Sequence, residues 1–212
     1  MEFPLLASLS PEDRATVLST AHRRRYGTGE VIVREGDPGD ALHLIAKGRV
    51  GVSLTTPGGS VALINVHGRG GAFGEQALID PTLRRSATIT ALEPSETLAL
   101  HRAAFDELRQ RQPGVDRLLV EVLSMEVRRL SNRLAEALYD SAEKRVMRRL
   151  LDLDAIYEGV VPLTQDNLAS MAGTTRPTTN GVLQQLVRDG LVAVGRGRLE
   201  VLDRPRLEAR AR

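Results

Sequence analysis

"VPLTQDNLASMAGTTRPTTNGVLQQLVRDGLVAVGRGRLEVLD", residues 161–203, decides the fold of the C-terminal third. Thr164 stands as an N-cap before an apolar-periodic run, which predicts a helix over Gln165 to Met171. "AGTT" supplies a tight turn at Gly173, and a second helix is predicted from about Arg176 to Asp189, where Gly190 stops it. "LVAVGRGRLEVLD" then reads as a two-stranded ribbon turning around Gly195 to Gly197. Leu168, Met171 and Ala172 on the first helix pair with Val182, Leu183 and Leu186 on the second. Helix, short glycine turn, helix and hairpin make a winged helix-turn-helix.

That packing leaves Thr174, Thr175, Arg176, Thr178, Thr179 and Asn180 as the expected exposed face at the start of the second helix. Short hydroxyl and amide groups suit phosphates, and an arginine can grip a guanine edge with two hydrogen bonds. Arg176 has the reach for the guanine. Thr164 and Gln165 at the head of the first helix, and Arg196 and Arg198 on the wing, are further candidate DNA contacts. A winged helix that binds protein is the alternative; the Thr-rich face and basic wing favour DNA.

Working outward, the charge agrees. The net charge of the 212-residue chain is +2, yet residues 141–212 carry 12 Arg/Lys against 9 Asp/Glu. A basic C-terminal third fits a polyanionic partner. The composition, 42% hydrophobic and 26% charged, is that of a globular protein with length for two small domains. With no cysteine there is no disulfide, iron-sulfur cluster or thiolate zinc site. His22, His43, His67 and His101 are scattered and read as surface or strand packing, so no metal or haem is expected; His67 lies nearest the glycine-carboxylate pair Gly74 and Glu75. No apolar run approaches a membrane span, and "MEFPLLASLSPEDR" lacks a basic leader, so a cytoplasmic location is expected. No paired nucleophile and base, metal cluster or triphosphate loop points to an enzyme.

Upstream, "LSPEDRATVLSTA" predicts a short helix with Ser10 as N-cap and Pro11 in its first turn. From Gly29 to about residue 100, short alternating runs are broken by "GDPGD", "KG", "PGG" and "GRGG". Such a density of glycine turns predicts an antiparallel roll or sandwich. After "RQRQPG" the pattern turns helical. Val120, Leu123, Val127, Leu130, Leu134 and Ala137 recur at spacings of 3, 4, 3, 4 and 3, a narrow heptad seam that predicts a parallel dimer helix. A core helix that happens to fit heptads is the alternative. Residues 142–157 form another amphipathic helix, with Val146, Leu150, Leu153 and Ile156 on one face.

Within the roll, "FGEQALIDPTLRRSATITAL", residues 73–92, sets a glycine and a carboxylate (Gly74, Glu75) ten residues ahead of Arg85 and Ser86. Arg85 can fork a phosphate, Ser86 can add a hydroxyl, and Glu75 can accept from a ribose hydroxyl. The helical turn "EQALID", with Gln76 and Ala77, is expected to present free N–H groups to an anion. The spacing alone does not separate this reading from a charged turn.

"REGDPGDALHLIAKGRVGV" followed by "FGEQALID" and "RRSATITAL" resembles the phosphate-binding cassette of cyclic-nucleotide-binding domains. Cassette, long helix and winged helix-turn-helix in this order resemble the CRP/FNR family of bacterial transcription regulators. The resemblance covers nearly the whole chain and implies an α+β architecture: an N-terminal β-roll, jelly-roll-like (1–113), a dimerisation helix and hinge (114–140), and a winged helix-turn-helix (141–212). It implies a homodimer controlled by a cyclic nucleotide, cAMP, acting on a pseudo-palindromic duplex with half-sites one helical turn apart. It assigns Gly74 and Glu75 to the ribose, and Arg85, Ser86 and Ala87 to the phosphate. The adenine-reading pair falls at Leu130 and Ser131, and only Ser131 can hydrogen-bond; Asn132 and Glu126 are substitutes. Pro177 and Gly181 stand where such receptors place Glu and a basic residue, which implies altered central half-site bases. "AHRRRY", residues 21–26, contacts RNA polymerase or is a solvated basic turn. The alternative within the family is a regulator that acts without ligand or senses another molecule.

Overall fold

The computed structural model describes residues 3–56, 58–80 and 82–212; Pro57 of the "PGG" turn and Pro81 lie outside the described residues. The chain forms two compact units, one of Met1–Thr55 and His67–Arg129, the other of Thr56–Val66 and Leu130–Arg212.

The first unit opens with a 3-10 turn (Pro4–Leu6) and helix α1 (Pro11–Thr20). The Ser10 side chain accepts from the Asp13 N–H, and Pro11 takes the first turn, as its sequence predicts. One antiparallel sheet runs in the order β1 (His22–Tyr26), β8 (Ser95–His101), β3 (Ala41–Lys47) and β6 (Ala72–Phe73). Opposite lie β2 (Val31–Val33), β7 (Thr88–Ala91) and β4 (Val50–Thr55), neighbours in that order. Strand β3 is buried along six of its seven residues, so the expected apolar-polar alternation is absent there. Its period of two divides the side chains between two cores. Leu42, Leu44 and Ala46 join the larger cluster with Leu6, Val17, Leu100 and Phe105. Ile45 faces the smaller one with Val50, Phe73 and Ile89. Helix α3 (Arg102–Arg111) and the first half of α4 (Asp116–Tyr139) close the larger core through Phe105, Leu108, Leu118 and Val122.

In the second unit, β5 (Val61–His67, up to Val66) accompanies the second half of α4, where Arg133 donates to Asn65 at 3.4 Å. Helix α5 (Ala142–Tyr157) follows, capped by Ser141. Helix α6 (Gln165–Met171) carries a full capping box, in which Thr164 and Asn167 satisfy each other's backbone N–H groups. Helix α7 spans Arg176–Arg188. The wing is β9 (Val192–Gly195) against β10 (Arg198–Val201), and Val161 exchanges hydrogen bonds with Leu199 beside it. A terminal helix α8 (Arg204–Ala211) buries Leu207 and Ala211 and packs on α5.

Candidate functional site

The glycine-carboxylate turn and the arginine ten residues later meet in space. Gly74 joins β6 to the short helix α2 (Gln76–Ile79) with a φ of +80°, a left-handed conformation that glycine adopts without strain. The chain at Arg85 is held from the other side: its N–H donates to the Asp37 carbonyl at 2.8 Å, and its carbonyl accepts from the Gly36 N–H at 2.9 Å. The guanidinium then turns inward and is 8% exposed. Nη1 donates to the carbonyls of Ala41 (3.0 Å) and Gly74 (3.4 Å), and Nη2 reaches the exposed Asp40 carboxylate at 3.5 Å. Nε has no hydrogen-bond partner among the described residues. Two glycines make room: a Cβ on Gly74 would sit 2.3 Å from Nη1, and one on Gly39 would sit 3.4 Å from Nε.

Burial pushes the Arg85 pKa below its ordinary value, while Asp40 and Glu75 push it back. The group stays cationic, because arginine's unperturbed pKa lies far above neutrality. A buried cation with one loosely held carboxylate and an idle N–H is under-compensated, which suits an anion.

Around it, Glu75, Gln76 and Ala87 are half-buried and Ser86 is exposed. The α2 turn departs from expectation. Its Ala77 N–H donates to the Gly74 carbonyl (3.2 Å) and its Leu78 N–H to that of Glu75 (3.0 Å), so these donors are already used. Ala77 is buried, its methyl walling the space beside Gly39. On α4, Glu126 accepts from Arg129 Nε at 2.8 Å, and this bond holds its carboxyl below the usual range. Arg129 is raised in pKa by Glu126 and feels Glu75 as well. Ser131 and Asn132 are exposed on α4 and belong to the second unit.

His43 is a packing histidine, as its strand pattern suggested. It stacks on Phe73 with ring centroids 4.8 Å apart, and Nδ1 shares a 3.1 Å hydrogen bond with Thr97. Burial, with Arg85 nearby, lowers its pKa to about 4 from 6.5. Between those two values the unfolded chain binds the proton and the folded one does not. The stability this group contributes is therefore complete above about pH 6.5 and is lost as pH falls towards 4, roughly 3 kcal/mol in all. His43→Phe keeps the stack and removes the titration; urea denaturation at pH 7 and pH 4.5 should show a smaller acid loss in the variant than in the wild type.

In the second unit, the helix-turn-helix core is as predicted. Leu168, Met171, Ala172, Leu183 and Leu186 are buried and Val182 is half-buried. Thr175 caps α7 by accepting from the Thr178 N–H. Arg176 and Thr178 are exposed, Thr174 and Asn180 half-buried, and the wing presents Arg196 and Arg198. Arg176 rests against Asp166 of α6 at 3.2 Å, both side chains well exposed, a pair worth little that an incoming base can replace.

Thr179 requires correction. Expected on the open face, it is fully buried, and its hydroxyl has no partner among the described residues. Its position four before Leu183 and seven before Leu186 puts it on the core stripe. Thr179→Val keeps the branched shape and removes an orphaned hydroxyl, so it should raise stability by about 1 kcal/mol in urea denaturation while operator affinity is unchanged. The open face continues instead through Gly181 and Gln184, which sequence reasoning did not include among the contacts.

Sequence reasoning also missed the arginines of α5. Helix α4 ends at Tyr139 and α5 is capped at Ser141, so the helical backbone breaks at Asp140. Arg145 donates to the Asp140 carbonyl (2.8 Å) and to the carbonyls of Ala172 (2.9 Å) and Gly173 (3.3 Å). One side chain thus ties the helix break to the turn between α6 and α7, satisfying carbonyls that a helix end leaves open. Buried Arg149 pairs with Glu136 and, at 2.8 Å, with Asp152. The only sequence signal was a run of basic residues on an otherwise amphipathic helix.

Among the described residues, no group of three or more His, Cys, Asp and Glu could hold a metal ion, and no helix is long and apolar enough to cross a membrane. Comparison with known proteins accounts for both halves of the chain. A cyclic nucleotide-binding domain model matches residues 23–112, and a Crp-like helix-turn-helix domain model matches residues 144–210. The cyclic AMP receptor protein of Thermus thermophilus is 37% identical over 208 residues, spanning 97% of this chain and 95% of that protein. A CRP-like cAMP-activated global transcriptional regulator of Mycobacterium tuberculosis is 30% identical over 195 residues, 88% of this chain and 87% of that one. The crystal structure of the Thermus thermophilus catabolite activator protein matches with a TM-score of 0.58 at 36% identity, over 98% of each chain. With a cyclic-nucleotide-binding roll ahead of a DNA-binding helix-turn-helix, and relatives alike along nearly their whole length, the chain belongs to the CRP/FNR family of transcription regulators.

Proposed function

We propose that this regulator is a homodimer switched by cAMP, with domain limits at 1–113, 114–140 and 141–212. The observation that carries the ligand reading is Arg85: a buried guanidinium with an idle Nε, walled by glycines at 39 and 74. Arg85, Ser86 and Ala87 take the cyclic phosphate, Gly74 and Glu75 take the ribose, and Gln76 and Ala77 line the same site. Ser131 and Asn132 supply polar atoms for the base. The named effector of the Thermus and Mycobacterium relatives supports cAMP over other cyclic nucleotides.

The dimer reading is supported by the seam itself. Val120, Leu123, Val127, Leu130 and Leu134 are 47–62% exposed, and Ala137 is exposed as well. A monomer would leave this continuous apolar stripe in water, and two parallel helices would cover it. Ligand binding then shifts the population of dimers whose two α7 helices are spaced for successive major grooves, which requires different affinities for cAMP in the two arrangements. Thr164, Gln165, Thr174, Thr175, Arg176, Thr178, Asn180, Arg196 and Arg198 contact a pseudo-palindromic duplex. The regulator acts in the cytoplasm. RNA polymerase is contacted through His22 to Arg25 on the exposed edge strand β1, where Arg23 and Arg25 flank Glu96.

A second reading is a family member that answers another molecule or none. Leu130 favours it, since an apolar side chain stands where a base-reading hydroxyl is expected. Calorimetric titration of the full-length protein with cAMP and cGMP, paired with operator binding, decides between them. Heat with cAMP and a rise in operator affinity are expected; no heat and no change would establish the second reading.

A further inference from the structure

Gly181 is the sixth residue of the thirteen in α7, where glycine is among the poorest helix formers. The usual intramolecular reasons for a glycine are missing. It is not among the residues with positive φ, and a Cβ built on it would meet nothing within 4 Å. The contrast with Gly74, whose added Cβ would run into Arg85, is complete. Neither backbone conformation nor packing within the chain requires glycine here. What remains is contact with another molecule, because glycine also serves where a backbone must approach a partner closely.

The position shows which partner. Gly181 is exposed, three residues from exposed Thr178 and three from exposed Gln184, on the face opposite buried Thr179, Leu183 and Leu186. Arg176 stands about one and a half turns before it and Arg188 about two turns after, both exposed, on the helix proposed to enter the major groove. In the helix interior the backbone N–H of residue 181 is engaged within the helix, so the surface offered at this point is the bare Cα methylene. It has no donor or acceptor to match a guanine, cytosine or adenine edge. The one apolar group on the major-groove floor is the thymine C5-methyl.

We propose that Gly181 is the point where α7 closes onto the C5-methyl of a thymine in each operator half-site, and that the missing Cβ sets specificity for that base pair. This rests on α7 being the DNA-reading helix. The side chain absent at residue 181 leaves a notch one methyl group deep between Thr178 and Gln184, and the thymine methyl fills it.

The test uses full-length protein, with and without cAMP. Wild-type protein first selects its operator from a random duplex library; a T·A pair should be enriched a fixed step from the guanine contacted by Arg176. Replacing that thymine by deoxyuridine, which removes only the methyl, should weaken binding about threefold to tenfold. Gly181→Ala should raise Tm by about 2–4 °C, since alanine is the better helix former, showing that the variant folds. The same variant should lose about tenfold or more in affinity for the selected operator, with binding to a non-specific duplex unchanged at the same salt concentration. Equal operator affinity for Gly181→Ala and wild type, or no effect of deoxyuridine, would overturn the proposal. Failure of the wild type to select any duplex would instead remove the DNA-reading assignment of α7, and this proposal with it.

Discussion

Arg85→Leu is expected to lower affinity for cAMP by at least about 100-fold, because two hydrogen bonds from a charged donor to a phosphate are each worth about 1.5–3 kcal/mol. The loss is that large because the guanidinium is nearly buried and, among the described residues, forms an ion pair only with the exposed Asp40, at 3.5 Å. Leucine also strips the donor from the carbonyls of Ala41 and Gly74, so a smaller loss of folding stability accompanies it. Two controls separate these effects. Arg85→Lys keeps the charge but loses the fork and should fall between wild type and Arg85→Leu in affinity. Urea denaturation of each variant shows whether the roll remains folded at the temperature of the titration. Wild-type affinity in a folded Arg85→Leu protein would remove the residue from the ligand site.

Leu134→Lys should convert the dimer to monomers at micromolar concentration and reduce operator affinity by about 1,000-fold or more. In the proposed dimer, two-fold symmetry makes one substitution act twice. Each copy forfeits the burial of a leucine, about 1.5–3 kcal/mol, and adds an ammonium group that must be desolvated to enter the seam. Leu134 is 60% exposed in the single chain, so the substitution removes little that holds the protomer itself together. Sedimentation velocity would read the oligomeric state and thermal unfolding the integrity of each protomer. Ala135→Lys, exposed on the same turn but off the seam, is the control and should remain dimeric. A Leu134→Lys protein that sediments as a dimer would mean that α4 does not form the interface.

Much of the C-terminal unit could be read from the chain because its signals are local. The Thr164–Asn167 capping box, the Thr175 cap and the glycine turn at Gly173 act over three or four residues and appear where their residue types predict. Helix α4 was legible for the same reason, since a helical period needs only near neighbours. Helices α3 and α8 were not anticipated. Each turns only two residues into the core, Phe105 and Leu108 or Leu207 and Ala211, and so few apolar positions make no distinct stripe. Thr179 shows how residue chemistry can hide a pattern. Its hydroxyl suggested a DNA contact, while its spacing from Leu183 and Leu186 already marked the core side.

The sequence by itself determined the order of elements, the helix boundaries around the α6–α7 turn, and which residue types could meet a phosphate. Only the tertiary structure decided what Arg85 touches: Asp37 for its backbone, Ala41 and Gly74 for its guanidinium, and the room left by Gly39. It likewise decided that Arg145 joins Asp140 to Ala172. Caps and periods depend on energies between neighbours along the chain, whereas a buried charge finds its partners among groups that folding brings together from 11 to 45 residues away.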